Sequence, residues 1–254
     1  MALNTVQRAQ RDRGCATLIS WHRGGSETHA SASRAAFREA AEENADSLEV
    51  DVRRSADGVL LCVHDPDVPA LGRVRDLVFD ALTVDQQSEI LTYADFLSDL
   101  NERDPEGRCL IHLDLKDVGY ELVAVDATIA ARRPFFVTTS EQPSISLLRR
   151  ERPDYDAFLT IGSSSAGLST FATLRLRTSE LLPFRALRRT DATGVAVHYQ
   201  LLTPLLRWWC RRHHLATVVW TVDNDEMIAT WLERGVDVLT TNRPRRARGM
   251  REQR

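Results

Sequence analysis

The chain has 254 residues, of which 43% are hydrophobic and 27% are charged, and these values exclude a disordered chain. Its 33 basic and 36 acidic residues give a net charge of −3, so the charge balance gives no reason to expect a nucleic-acid-binding protein. A chain of this length holds one large domain or two small ones.

Short runs of β-branched and apolar residues alternate with stretches of helical periodicity along most of the chain. This alternation predicts βαβ units that build a parallel sheet. The predicted strands are 16–22, 47–52, 59–63, 109–115, 134–138, 156–161, 194–198, 216–222 and 236–240. The predicted helices are 31–44, 93–101, 118–131, 143–151, 166–189, 203–213 and 224–234.

The number of predicted strands indicates a closed barrel. Segment 59–63 is interpreted as a hairpin partner of 47–52, which leaves eight strands. Eight βα units in about 250 residues are typical of an α/β protein with a (β/α)8 TIM barrel. A doubly wound open sheet is the alternative, but no GxGxxG motif follows the first strand.

Residues 1–254 are therefore predicted to form a single TIM-barrel domain. Residues 65–92 lack clear periodicity, and we interpret them as a small insertion after the second strand. The arginine-rich stretch 243–254 is expected to be an exposed, frayed tail, with contact to a phosphate or a membrane as the alternative.

The sequence predicts neither a membrane-spanning segment nor a secreted protein. The longest uncharged window, 157–174, is interrupted by Gly, Ser and Thr, whereas a spanning helix needs about 20 mainly apolar residues. The N-terminus lacks the apolar core of a secretory signal. The cysteines show no metal-binding spacing, so we expect reduced thiols and a cytoplasmic location; they are Cys15, Cys62, Cys109 and Cys210.

Charged residues cluster near the carboxyl ends of predicted strands, where TIM barrels carry their active sites. Alternate residues of a strand point to the same face, so Glu49 and Asp51 share one face of the second barrel strand. By the same rule His112, Asp114 and Lys116 share one face of the third. Charges that point into a barrel are costly unless they are paired or bound to metal. A structural salt-bridge network is the alternative explanation.

The three carboxylates predict a metal site. Oxygen ligands from Glu49, Asp51 and Asp114 suit a hard divalent cation, Mg²⁺ or Ca²⁺. Arg23 and Lys116 supply positive charge for an anion, most naturally a phosphate.

Two histidines complete the predicted site. His22 ends the first predicted strand, and His64 follows the predicted hairpin. Imidazoles that titrate near neutrality can act as acid and base around one bond. Together with a metal and two cations, they indicate a site that cleaves phosphodiesters.

Six motifs carry a resemblance to a known family. They are HRGG at 22–25, LEVDV at 48–52, DGVLLCVHD at 57–65, LIHLDLK at 110–116, VVWTVDN at 218–224 and GVDVLTTNRP at 235–244. In these motifs and their order, the sequence from residue 22 to residue 244 resembles the glycerophosphodiester phosphodiesterases, a family of phospholipase C-like TIM barrels.

The resemblance implies a metal-dependent hydrolase of glycerophosphodiesters and gives each site residue a role. His22 and His64 correspond to the acid–base pair, and Trp220 corresponds to an aromatic wall on the substrate side. The remaining correspondences are Glu49, Asp51 and Asp114 as metal ligands and Arg23 and Lys116 as phosphate contacts. The substrate would be a small or lipid-derived phosphodiester, cleaved in lipid metabolism to glycerol phosphate and an alcohol. The family suggests a route in which a neighbouring hydroxyl of the substrate attacks the phosphate and forms a cyclic phosphate.

The sequence departs from the family pattern before the first helix and on the third barrel strand. Ala30-Ser31-Ala32-Ser33 stands where the family has a Pro-Glu-Asn-Thr run, and Glu27 is a candidate replacement for the missing carboxylate. Asp114 replaces the usual Glu, and His112 replaces a common Asn. Two alternatives therefore stay open: a phospholipase D-like or cyclising lyase on the same barrel, and a non-catalytic barrel that binds phosphorylated ligands.

Overall fold

Eight parallel strands close into a barrel in the computed structural model, which describes residues 4–162 and 183–254. All strands but the short β3, β4 and β5 belong to the barrel. In chain order the strands are β1 (Leu18–Trp21), β2 (Ser47–Arg54), β3 (Leu60–Leu61), β4 (Asp67–Val68), β5 (Gly72–Arg73), β6 (Leu110–Leu115), β7 (Phe135–Thr139), β8 (Asp156–Ile161), β9 (Gly194–His198), β10 (Ala216–Trp220) and β11 (Val238–Thr241).

The pairing order around the barrel follows the chain. Each barrel strand pairs in parallel with the next, and β11 returns to pair with β1. The short β3 pairs antiparallel with β2, as expected for segment 59–63. The predicted (β/α)8 TIM barrel is confirmed.

Helices lie between the barrel strands and beyond them. They are α1 (Thr5–Arg13), α2 (Arg34–Glu42), α3 (Val84–Ser88), α4 (Tyr93–Arg103), α5 (Glu121–Ala130), α6 (Gln142–Glu151), α7 (Phe184–Thr190), α8 (Pro204–Arg212), α9 (Asp225–Arg234) and α10 (Pro244–Glu252). Most of the predicted helix 166–189 falls outside the described residues, and α7 is its described part. None of the helices in the described ranges has the length and apolar content needed to cross a membrane.

Side-chain caps begin several of these helices at the predicted places. Thr92 caps α4 by accepting a hydrogen bond from the backbone N–H of Asp95, and Thr203 caps α8 in the same way. Asn224 accepts from two backbone N–H groups at the start of α9. Such caps satisfy N–H groups that have no partner within the helix, so they fix where each helix begins.

The amino-terminal end of the barrel is filled with apolar side chains and covered by α1. Leu18, Phe136 and Phe158 are fully buried there, and Val6 of α1 packs against them. The backbone N–H of Thr5 also donates to the carboxylate of Asp156, at 2.6 Å. With this end filled, the interior of the barrel is open only toward the carboxyl ends of the strands, as far as the described residues show.

The prediction of a frayed tail at 243–254 is wrong, because most of this stretch forms α10. Arg245 pairs with Glu39 and Glu43, and Arg251 pairs with Asp46. The arginines that suggested a solvated tail instead hold α10 against the barrel.

The segment 65–92, predicted as an insertion, lies between β3 and α4. It contains the β4–β5 hairpin, single 3₁₀ turns and α3. Val74, Phe79 and Ile90 from this segment form a small apolar cluster with Leu61 of β3. This cluster packs the segment beside the carboxyl end of β2.

Candidate active site

A cavity of about 430 Å³ opens at the carboxyl ends of the barrel strands. It is lined by all but one of the residues predicted for the site: His22, Arg23, Glu49, His64, Asp114, Lys116 and Trp220. The remaining one, Asp51, is 2% exposed and lies behind this lining, in contact with Arg23 and Lys116. The structure therefore brings all the predicted site residues together.

The HRGG motif forms a tight turn directly after β1. Arg23 has a positive φ of 51°, a strained backbone conformation for a non-glycine residue, and its N–H donates to the carboxylate of Glu49 at 2.9 Å. Gly24 packs so closely on α2 that an added Cβ would lie 2.7 Å from the Cβ of Ala36. The turn thus needs its glycine, and it places His22 and Arg23 at the mouth of the barrel.

The three predicted metal ligands converge. One carboxylate oxygen each of Glu49, Asp51 and Asp114 lies within 4.8 Å of the others. Parallel pairing of β2 with β6 sets Asp51 opposite Asp114, so the alternation along each strand points all three inward. Oxygens bound to one cation at 2.0–2.6 Å lie at most about 5 Å apart, so the spacing suits Mg²⁺ or Ca²⁺.

Two cations surround the central carboxylate. Lys116 Nζ lies 2.7 Å from Asp51 Oδ1 and also contacts Asp114, while Arg23 Nε lies 2.8 Å from Asp51 Oδ2. Beyond these ion pairs, neither oxygen of Asp51 accepts a hydrogen bond from the residues described. When all three carboxylates are ionised, as metal ligands are, they leave one negative charge against the two cations, and a divalent cation would convert it to one positive charge facing the cavity. This donor set fits a divalent metal and, with it, an anionic phosphate.

Crowding of the carboxylates shifts their pKa values in opposite directions. Burial and the neighbouring charge of Asp51 raise the pKa of Glu49 well above its ordinary range. Burial alone would also raise the pKa of Asp51, but Lys116 and Arg23 lower it to about 2. Such opposed shifts within one cluster are typical of functional sites.

Hydrogen bonds orient the imidazole of His22. Its Nδ1 lies 2.7 Å from Asn242 Oδ1, and Asn242 Nδ2 donates to Asp223 at 2.8 Å. Because a carboxylate only accepts, Asp223 fixes which way the amide of Asn242 points. The proton of His22 therefore sits on Nδ1, and Nε2 is left as the acceptor. Burial also lowers the pKa of His22, which keeps the ring neutral at neutral pH.

His64 lies on the more open side of the cavity, with 42% of its side chain exposed. Its Nδ1 lies 2.7 Å from the carboxylate of Asp65, which can only accept, so Nδ1 carries a proton and Nε2 is left toward the cavity. Arg53 Nε donates to the backbone carbonyl of His64 at 2.9 Å and holds the loop in place. The two histidines thus sit in different electrostatic environments.

A buried chain of hydrogen bonds holds the carboxylate of Asp114 in place. Thr138 donates to Asp114 Oδ1 at 2.8 Å, and the same hydroxyl lies 3.0 Å from His112 Nε2. Ser20 lies 3.3 Å from His112 Nδ1. Burial lowers the pKa of His112 to about 3, so its ring is neutral. Because the Thr138 hydroxyl donates to Asp114, His112 Nε2 donates to Thr138 and Nδ1 accepts from Ser20.

Trp220 forms one wall of the cavity at the carboxyl end of β10. Its ring is met edge-on by that of His198, with centroids 5.5 Å apart. Its indole Nε1 is buried and has no hydrogen-bond partner among the described side chains and backbone. This placement agrees with the predicted aromatic wall.

Sequence reasoning missed Asp65, Thr138, Asp223 and Asn242 as members of the site. Three of them lie within the quoted motifs, but nothing in their spacing assigned a role to them. Glu27, the candidate replacement for a missing carboxylate, is exposed and does not line the cavity.

We expect the Thr138→Val variant to bind a divalent cation about 10–100-fold more weakly, the usual cost of losing a hydrogen bond to a metal ligand. The isosteric change removes the bond to Asp114 and leaves all three carboxylates in place. Titration of Mg²⁺ by calorimetry measures the effect. Thr160→Val is the matched control, because Thr160 lines the same cavity and its hydroxyl has no partner in the described residues. Equal affinities in the two variants would contradict the prediction.

Comparison with known proteins gives one family and many similar structures. Residues 22–101 match the model of the glycerophosphoryl diester phosphodiesterase family, a stretch that contains His22, Arg23, Glu49, Asp51 and His64. A search of curated proteins finds no significant match.

Three of the similar crystal structures illustrate the likeness. A glycerophosphodiester phosphodiesterase from Parabacteroides distasonis has a TM-score of 0.76 at 20% identity, covering 94% of this chain and 98% of its own. An enzyme of the same name from Thermotoga maritima has a TM-score of 0.66 at 18% identity, covering 94% and 98%. A phosphodiesterase from Oleispira antarctica, solved with its product sn-glycerol-3-phosphate, has a TM-score of 0.72 at 15% identity, covering 92% and 96%. At these identities the likeness establishes the fold.

Proposed function

We propose that this chain, whose residues 22–101 match the model of the glycerophosphoryl diester phosphodiesterase family, hydrolyses a glycerophosphodiester to glycerol phosphate and an alcohol. The observation that carries the proposal is the cavity itself, where three converging carboxylates, two cations and two differently oriented histidines meet. The sn-glycerol-3-phosphate bound to the Oleispira antarctica phosphodiesterase supports the choice of product. The proposed substrate is a small or lipid-derived phosphodiester, and its cleavage would be a step of lipid metabolism.

The proposed enzyme depends on a divalent metal. Glu49, Asp51 and Asp114 would hold Mg²⁺ or Ca²⁺, which supplies positive charge against the phosphate oxygens as negative charge develops there. Arg23 and Lys116 add positive charge from the protein at the same point. Their contacts with Asp51 hold both groups beside the proposed metal ligands, at the floor of the cavity.

His22 is the proposed base, because its Nε2 is unprotonated and burial keeps the ring neutral. It takes the proton of the attacking substrate hydroxyl as the new P–O bond forms. His64, oriented by the hydrogen bond from its Nδ1 to Asp65, is the proposed acid and gives a proton to the alcohol oxygen as the old P–O bond breaks. Water then opens the cyclic phosphate with the two roles exchanged.

Product analysis by ³¹P NMR tests the proposal. Glycerophosphodiesters and lysophospholipids are incubated with the protein and Mg²⁺ or Ca²⁺, and a chelator serves as the control. We expect glycerol phosphate to accumulate only when metal is present. Cyclic phosphate as the final product would identify the lyase alternative, and binding without turnover would identify a non-catalytic barrel.

A further inference from the structure

The basic residues of the chain are unevenly distributed, and α7 and α8 carry a dense group of them. The stretch 183–215 contains six arginines and a single acidic residue, Asp191, although the whole chain has a net charge of −3. Asp191 itself lies 3.7 Å from Arg149, which belongs to α6. The surface formed by α7 and α8 is therefore strongly positive. We call it the α7–α8 face, and its members are Arg185, Arg188, Arg189, Leu205, Arg207, Trp208, Arg211 and Arg212.

The arginines of the α7–α8 face have no carboxylate partner among the residues described, in contrast to those of α10. Arg188 lies over the ring of Trp209, at 5.7 Å, and Arg211 donates only to a backbone carbonyl. Burial and the like charges of Arg211 and Arg234 lower the pKa of Arg207. The positive charge of these arginines is thus not neutralised by carboxylates of the described residues. The electrostatic potential at this surface is therefore positive and attracts anions from outside the protein.

An exposed tryptophan lies within this positive surface. Trp208 is 61% exposed and Leu205, three residues earlier on α8, is 52% exposed, so the two side chains are neighbours on one helix face. Arg212 lies one turn beyond Trp208 on the same side. The opposite side of α8 is buried through Leu206 and Trp209. The outward apolar pair therefore has no role in the packing of α8.

We propose that the α7–α8 face binds the surface of an anionic phospholipid bilayer. Arginines around an exposed Trp–Leu pair match the two components of such a surface, since the guanidinium groups meet anionic headgroups and the indole enters the interfacial layer. A soluble polyanion that presents only charged groups would need the arginines but would gain nothing from an exposed Trp208. Binding in this manner needs no membrane-spanning helix.

The beginning of α8 lies at the same end of the barrel as the active-site cavity, although no residue of the α7–α8 face lines that cavity. α8 follows β9, so its first turn with Leu205 lies near the carboxyl end of the barrel, where the cavity opens. His198, at the end of β9, contacts the cavity wall residue Trp220. A bilayer bound at this face would lie beside the mouth through which a lipid-derived phosphodiester enters.

Vesicle sedimentation tests the proposal with phosphatidylcholine vesicles and with vesicles that also contain phosphatidylglycerol. We expect the protein to bind only the anionic vesicles, and less tightly as salt increases. Each arginine near an anionic surface contributes about fivefold to the binding constant, so Arg185→Gln/Arg189→Gln/Arg212→Gln should lower it about 100-fold. The matched control is Arg11→Gln/Arg75→Gln/Arg150→Gln, three arginines that are also largely exposed but lie on other surfaces.

A second measurement isolates the tryptophan. Lipids brominated on their acyl chains should quench the fluorescence of the wild type, and this quenching should disappear in Trp208→Ser, whose vesicle binding should fall about tenfold. Val84→Ser, at another exposed apolar position, should bind like the wild type. Thermal melts establish that each variant is folded.

Three outcomes would overturn the proposal. The first is equal binding of the protein to both vesicle types. The second is an equal loss of vesicle binding in the three-arginine variant of the α7–α8 face and in its three-arginine control. The third is unchanged fluorescence quenching in Trp208→Ser. Binding to a DNA duplex that is as tight as vesicle binding and insensitive to Trp208→Ser would assign the face to nucleic acid instead. None of these measurements uses turnover, so their failure is distinct from a failure of the proposed activity.

Discussion

His22→Ala is expected to lower kcat by about 10²–10⁴-fold, the usual contribution of one acid–base group, and His64→Ala should cost a similar factor. The reason is that each imidazole has one nitrogen engaged by a fixed partner, Asn242 or Asp65, and the other left for a proton in the cavity. Neither histidine is among the three carboxylate ligands, so Mg²⁺ affinity should change little. Steady-state kinetics with a glycerophosphodiester and calorimetric titration of Mg²⁺ measure the two quantities separately.

Two further variants separate catalysis from structure. His29→Ala is the control, because His29 is exposed and does not line the cavity. Asn242→Leu removes the acceptor that holds the proton on His22 Nδ1, so we expect a smaller loss of kcat and a change of tautomer visible in the ¹⁵N shifts of the ring. If His22→Ala retained near-full kcat at neutral pH, His22 would be structural and the acid–base proposal would be wrong.

The convergence of the carboxylates was predictable because it follows from local rules. Alternation along a strand fixes the face on which Glu49 and Asp51 lie, and the same rule applies to Asp114 and Lys116. A parallel barrel then brings neighbouring strand ends together, and the observed pairing of β2 with β6 does so in register. The sequence therefore sufficed for the fold and for the cluster at its mouth.

The partners that orient the site were not predictable, because they come from strands far apart in the chain. Asn242 reaches His22 only because β11 closes the barrel against β1, and no spacing rule gives that contact. Thr138 likewise supports Asp114 across the β6–β7 pair, although threonine at the end of a strand is an ordinary residue. Contacts of this type depend on side-chain geometry, which the pattern of residue types does not encode.

The misreading of residues 243–254 has a related cause. A run of arginines resembles a solvated tail when its partners are unknown. The partners Glu39, Glu43 and Asp46 lie some 200 residues earlier and meet α10 only after the barrel has closed. The arginines of α7 and α8 resemble those of α10 in the sequence, but they meet no such carboxylates among the described residues. Similar composition therefore gives a neutralised surface on α10 and a positive one on α7 and α8.

Asp114→Asn is expected to abolish turnover at ordinary Mg²⁺ concentrations, with partial recovery at high Mg²⁺. The change removes one ligand charge but keeps an acceptor for Thr138, and Lys116 retains its ion pair with Asp51 at 2.7 Å. The fold should therefore survive, and the loss should fall on metal affinity. Thermal melts with increasing Mg²⁺ follow that affinity independently of activity, because a ligand at 100 times its Kd stabilises the folded state by about 2.7 kcal/mol.

Lys116→Met separates a catalytic lysine from a purely structural ion pair with Asp114. In the proposed site the lysine contributes charge toward the phosphate, so its loss should raise KM or lower kcat while Mg²⁺ still stabilises the protein. Without metal the variant leaves Asp51 and Asp114 facing each other with less compensation, and breaking such a buried pair typically costs about 3–5 kcal/mol. Added Mg²⁺ should restore much of that stability, because the cation replaces the lost positive charge between the two carboxylates. If Asp114→Asn and Lys116→Met instead lost stability equally, and Mg²⁺ stabilised Asp114→Asn as strongly as the wild type, Asp114 would be a structural partner of Lys116 rather than a metal ligand.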